Sequence, residues 1–187
     1  MKTLIWQGIL YQSLEYFKIK ENGDRYTIES KIIGCYENKM YTADYKILIT
    51  QDWTVLEFVI ESEINTIKNI LTGKKRQDEW VINNVIHPDF KGFEYIDISL
   101  TPFTNTLPIN NLKLAENSSR KIDVIYIDVL NHHIRPAKQQ YTRTALNKYL
   151  YENIETDFKA EISVDEAGLV ISYPKLFEKT SEFLQNL

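Results

Sequence analysis

Cysteine occurs once in the 187 residues, at Cys35. One thiol forms no intrachain disulfide and supplies no thiolate zinc cluster. Nothing near it in sequence offers an activating base, so a small buried thiol is expected. Glycine is scarce too, at six residues, and no phosphate loop, dinucleotide fingerprint or Gly-x-Ser-x-Gly elbow is present; backbone cradles for phosphate are not expected. Basic residues are outnumbered, 22 Lys plus Arg against 26 Asp plus Glu, for a net charge of −4. Such a surface is a poor match for nucleic-acid phosphates and for anionic membranes. No apolar run approaches the length of a transmembrane helix. The opening "MKTLIWQGILYQSLEYF" lacks the uninterrupted apolar core and small-residue cleavage site of a signal peptide. These absences together lead to the expectation of a cytoplasmic, soluble protein with no nucleic-acid partner and no membrane insertion.

What is abundant is strand pattern. Aromatics make up 12%, twelve of them tyrosine, a residue that suits half-buried strands and keeps a polar tip. In "DFKAEISVD" (157–165), Phe158, Ala160, Ile162 and Val164 alternate with polar residues, and Tyr41, Ala43, Tyr45, Ile47 and Ile49 do the same. Turn signals such as "ENGD" (21–24) and "DEAG" (165–168) separate the runs, and Asn-Gly is a strong hairpin dipeptide. The pattern predicts a dozen or more strands in an antiparallel meander, within one domain over 1–187. Only "PKLFEKTSEFLQNL" (174–187) shows helical spacing, through Leu176, Phe177, Thr180, Phe183, Leu184 and Leu187. The sequence therefore predicts a mainly β fold with one C-terminal amphipathic α-helix, buried against the concave face of a curled sheet.

Candidate polar groups are few. Glu15 shares a strand face with Tyr11, Phe17 and Ile19. A carboxylate there either serves a cavity or lies on an edge strand facing water. Arg143 alternates with Tyr141 and Ala145, and either meets an inward carboxylate such as Glu15 or Asp97 or faces solvent. His132 and His133 are adjacent and His87 is remote, so no metal-ligand spacing exists and neither metal nor cofactor is expected. "TPFTNTLPINNL" (101–112) carries two prolines and six Thr or Asn residues. It reads as too broken for a helix and too polar for a core strand: a rigid corner of the sheet, or a polar wall aimed at a sugar or head group.

That stretch also carries a resemblance. "TPFTNTLPI", Asp89 to Gly92, Asp97, "QQYTR" (139–143) and "VDEAGLVISYP" (164–174), with Trp6, Ser13, Glu15, Asp52 and Trp53, resemble a glycolipid-binding family with the spiral β-roll fold, over nearly the whole chain. The sequence departs from that pattern at Asn110 and Asn111, where basic residues are common, at Tyr95, where an acid is common, and at Thr54, where arginine is usual. The resemblance implies a long meandering sheet rolled around a single helix, and homodimers. It also implies a non-catalytic protein that binds a glycolipid or other amphiphile between sheet and helix. The expected ligand-binding set is Glu15, Asp97, Thr104, Asn105, Gln140, Tyr141, Arg143 and Tyr173. Two other readings stand beside it: an enzyme using a buried cluster of Glu15, Asp97 and Arg143, and a dimeric scaffold with no small ligand.

Overall fold

The computed structural model describes residues 1–185, and one sheet of fifteen strands dominates it. From the middle of that sheet the chain runs outward through β1 (Lys2–Gly8), β2 (Ser13–Asn22), β3 (Arg25–Tyr36), β4 (Lys39–Thr50), β5 (Val55–Ile64), β6 (Ile67–Arg76), β7 (Glu79–Ile82) and β8 (Val85–Ile86). A short 3-10 turn, Pro88–Phe90, carries it to the opposite edge and into β9 (Tyr95–Ile98). One helix, α1 (Phe103–Leu112), follows. The chain then returns through β10 (Ser119–Asp128), β11 (His133–Ala145), β12 (Lys148–Asn153), β13 (Lys159–Val164), β14 (Val170–Tyr173) and β15 (Phe177–Leu184). The last strand pairs with the first, so the order is β8 to β1, then β15 down to β9.

The alternating runs became strands as expected, and Gly23 at φ 62° makes the Asn-Gly turn between the paired Asn22 and Arg25. The meander is not wholly antiparallel. β9 and β10 pair parallel because α1 is the crossover between them, and a parallel pair needs such a connection. The sheet is thus mixed, and it is not closed into a barrel.

The helix lies elsewhere than the periodicity predicted. Residues 177–184 form β15, with Lys2 opposite Leu184 and Gly8 opposite Phe177; Leu187, part of the expected helical stripe, lies outside the described residues. As a helix this segment would leave the β1 edge with a row of unpaired N–H and C=O groups. Satisfying that ladder outweighs a short apolar stripe, and Phe183 and Leu184 are left exposed.

The helix is instead formed by "FTNTLPINNL". Residues 103–109 are all buried, so their backbone groups must pair within the segment, which a helix does. The Thr101 hydroxyl accepts from the Phe103 N–H at 3.1 Å and the Pro102 carbonyl accepts from the Asn105 N–H at 3.2 Å, starting the first turn. Lys113, at φ 46°, ends the helix in the left-handed conformation. A helix covered on every side needs no amphipathic stripe, which is why its sequence did not show one.

Both halves of the sheet reach α1. Tyr45 of β4 contacts Thr101, Phe17 of β2 packs on Phe103 at 4.9 Å, and Tyr141 of β11 bonds Asn105. Eight strand spacings separate β4 from β11, roughly 38 Å on a flat sheet, whereas a ten-residue helix is about 15 Å long. The sheet therefore curves over the helix, and the core lies between them, around Trp6, Phe17, Ile47, Phe58, Phe103 and Leu107.

Candidate functional site

Two polar constellations lie beneath the curved face. The first surrounds Glu15, which is 2% exposed. Its Oε1 accepts from the hydroxyls of Ser30 at 2.8 Å, Tyr45 at 2.6 Å and Thr101 at 2.9 Å. Its Oε2 has no partner. Burial disfavours the charged form and outweighs the three donors, so the carboxyl is pushed up to about 7. Because β2 turns Ser13, Glu15 and Phe17 inward together, this carboxyl sits under the entrance to α1 and ties three elements to it. It is sealed from solvent.

The second constellation opens to solvent. A cleft of about 320 Å³ lies between β9, the entrance to α1 and the strands β10 to β15, within the range of small-ligand sites. Its walls are aromatic: Tyr11, Tyr126, Tyr151, Phe158, Tyr173 and Phe177. Tyr151 stands edge-on to Tyr173 at 5.9 Å, and Phe158 packs on both. The polar groups of the cleft include Asp97, Asn105 and Arg135. Asp97 Oδ2 accepts from Gln139 Nε2 at 2.6 Å and Oδ1 accepts from Thr104 Oγ1 at 3.2 Å. Thr104 Oγ1 in turn accepts from the Ile98 N–H. Tyr141 donates to Asn105 Oδ1 at 2.8 Å, and Asn105 Nδ2 donates to the Pro102 carbonyl.

Thr104 of the helix thus helps to fix the Asp97 carboxylate, while Tyr141 and the Pro102 carbonyl fix the Asn105 amide. Burial raises the Asp97 pKa, partly offset by Gln139, Thr104 and the Arg135 charge. Burial also pushes Tyr126 up to about 12, so its phenol stays a donor. Arg135 lies over the Tyr126 ring at 5.0 Å and pairs with Glu155 at 2.6 Å.

Of the expected residues, Asp97, Asn105 and Tyr173 line this cleft, with Thr104 and Tyr141 directly behind it. Glu15 belongs to the separate buried cluster. Gln140 points to the other side of β11 and donates to Glu152 at 2.6 Å. Arg143 spends its guanidinium on the carbonyls of Leu114, Ala145 and Leu146. It contacts neither Glu15 nor Asp97, so the structure does not assemble those three into one charged cluster. Gln139, not Gln140, serves Asp97, as period-two alternation from Tyr141 would have indicated. Arg135 shares that alternation; Tyr126 carries no such signal and meets Arg135 because β10 and β11 pair in this register.

Two of the departures from the family pattern meet in space. Tyr95 donates to Asn111 Oδ1, and Asn111 Nδ2 donates to the Asp52 carbonyl at 2.6 Å. A neutral tyrosine–asparagine pair thus tethers the end of α1. Among the described residues no three His, Cys, Asp or Glu side chains converge as a metal site, and no helix is long and apolar enough to cross a membrane.

Comparison with known proteins gives two findings. The family described as "Putative glycolipid-binding" matches residues 3–179. A crystal structure of a DUF1089 family protein from Pseudomonas aeruginosa is similar at 34% identity and a TM-score of 0.77, covering 88% of this chain and 91% of that one. No curated protein matches.

Proposed function

The chain belongs to the glycolipid-binding family, and from that premise we propose that it binds an amphiphile non-covalently, with a sugar-like head group in the aromatic cleft. The observation that carries this reading is the pairing of aromatic walls with a carboxylate held in place from behind. Aromatic faces suit the C–H face of a sugar ring, and acceptors such as Asp97 and Asn105 suit its hydroxyls. Fixing Asp97 by Gln139 and Thr104 before any ligand arrives reduces the ordering cost of binding. In this reading the curved sheet is the spiral roll of the family, with α1 rather than the C-terminal segment at its centre. The homodimer and the cytoplasmic setting belong to the same proposal.

The test begins with native mass spectra of protein purified from cells, followed by organic extraction of any bound lipid. The titratable probe is octyl glucoside below its micellar concentration. Asp97→Asn is expected to weaken that probe by about tenfold or more, the scale of one charge-assisted hydrogen bond. Phe158→Ala, at an exposed position that leaves the core untouched, is expected to weaken it as well. A folded wild type that carries no lipid and takes up no probe would remove the proposal.

A further inference from the structure

A second cleft, of about 400 Å³, is built from different chemistry and lies behind the first. Strand alternation explains the arrangement. In the β10–β11 ribbon, Tyr126 is opposite Arg135 and Ile127 is opposite Ile134. Successive residues point to opposite faces, so Tyr126 and Arg135 enter the aromatic cleft while Ile127 and Ile134 line the second one. The far wall comes from the other half of the sheet, through Ile60, Leu71 and Ile82.

The floor is aliphatic except for the Ser62 hydroxyl, whereas the first cleft is aromatic. No Phe, Tyr or Trp that would stack a sugar is in this lining; branched aliphatic side chains suit a flexible alkyl chain instead. The rim holds all three histidines of the chain, His87, His132 and His133. His87 is held in place by stacking on Phe90 at 5.5 Å. The one acid of the lining, Asp128, is already occupied, accepting from the Asn131 N–H at 3.2 Å and from Asn131 Nδ2 at 2.8 Å. The imidazoles, with the Asn69 and Asn83 amides beside them, are therefore the rim's donors for an incoming anion.

We propose that this cleft is a separate binding site for an aliphatic carboxylate, its chain on Ile60, Leu71, Ile82, Ile127 and Ile134 and its head group at the histidines. The site does not depend on the sugar reading of the aromatic cleft, since the two share no side chain.

Calorimetric titration of the full chain at neutral pH with octanoate, decanoate and decan-1-ol tests it. Each methylene buried should tighten binding about fourfold, so decanoate should bind about fifteenfold more tightly than octanoate. Leu71→Glu, which sets a like charge in the floor, should abolish decanoate uptake. His132→Gln with His133→Gln, both exposed, the first in the turn and the second at the start of β11, should bring decanoate toward the affinity of decan-1-ol and leave the alcohol unchanged. Phe158→Ala in the aromatic cleft should change neither. The proposal is overturned if folded wild type takes up no decanoate, if chain length has no effect, or if uptake survives Leu71→Glu and is lost in Phe158→Ala. Should Leu71→Glu fail to fold, the histidine variant and the chain series decide alone. Loss of octyl glucoside binding with decanoate binding intact would remove the sugar reading and leave this one standing.

Discussion

Glu15 gives the sharpest quantitative test of how the fold is held. Its carboxyl ionises near 4.5 in an unfolded chain and near about 7 in the native state. Between those values the native protein keeps a proton that the unfolded chain has released. Unfolding free energy must then fall as pH rises, by about 1.4 kcal/mol per pH unit at most, and by roughly 3 kcal/mol across the window. Below about 4 and above about 8 this contribution is flat. Glu15→Gln resembles the protonated form in shape and cannot titrate. Its amide nitrogen would take the place of an oxygen that has no partner, which costs about 1–3 kcal/mol at every pH. The diagnostic is therefore the slope. Urea unfolding from pH 4.5 to 8, with m-values compared to verify two-state behaviour, should show the variant less stable than wild type at the acid end. The gap should close by roughly 3 kcal/mol by pH 8. Parallel pH profiles for the two proteins would mean that Glu15 is ionised in the native state throughout, and that the three hydroxyl donors outweigh burial.

Three further outcomes follow from the packing. Arg143→Met removes donors to two carbonyls of the β11–β12 hairpin and to that of Leu114 after α1 and should cost roughly 1–3 kcal/mol in denaturant titration, while octyl glucoside affinity stays unchanged. Gly73→Ala places a Cβ 2.2 Å from Phe58 Cε1 in a ring that is 1% exposed; overpacking should lower stability by about 1–3 kcal/mol, and Phe58→Leu in the same chain should recover part of it. Removal of residues 177–187 deletes β15 and opens the edge of β1, so the truncated chain should aggregate, as light scattering would show; a soluble monomer would contradict the pairing of the first and last strands.

The strands were written in local sequence, because alternation in a segment such as 41–49 sorts its own side chains between two faces whatever surrounds it. The Asn-Gly turn at 22–23 was legible for the same reason. Composition excluded an intrachain disulfide without reference to any neighbour. Asp97, Asn105 and Tyr173, which line the aromatic cleft, were expected together through resemblance rather than through spacing.

The two places where local pattern misled are the two where a distant segment decides. Residues 177–184 have a helical stripe but complete the ladder of β1, some 170 positions away, and unmet backbone hydrogen bonds weigh more than a stripe that can stay partly in water. Residues 103–112 carry a proline and a run of Thr and Asn, and read alone they look like a corner. With 103–109 buried by a sheet that curves over them, they must satisfy their own backbone, and two of their side chains take up site contacts, Thr104 with Asp97 and Asn105 with Tyr141. The sequence by itself determined the strands, the turns and the excluded chemistries, since these depend on neighbours within a few residues. Tertiary structure alone decided which segment is the helix, which partners Gln139 and Arg135 meet, and that two clefts of different chemistry lie back to back, because each depends on pairings between residues far apart in the chain.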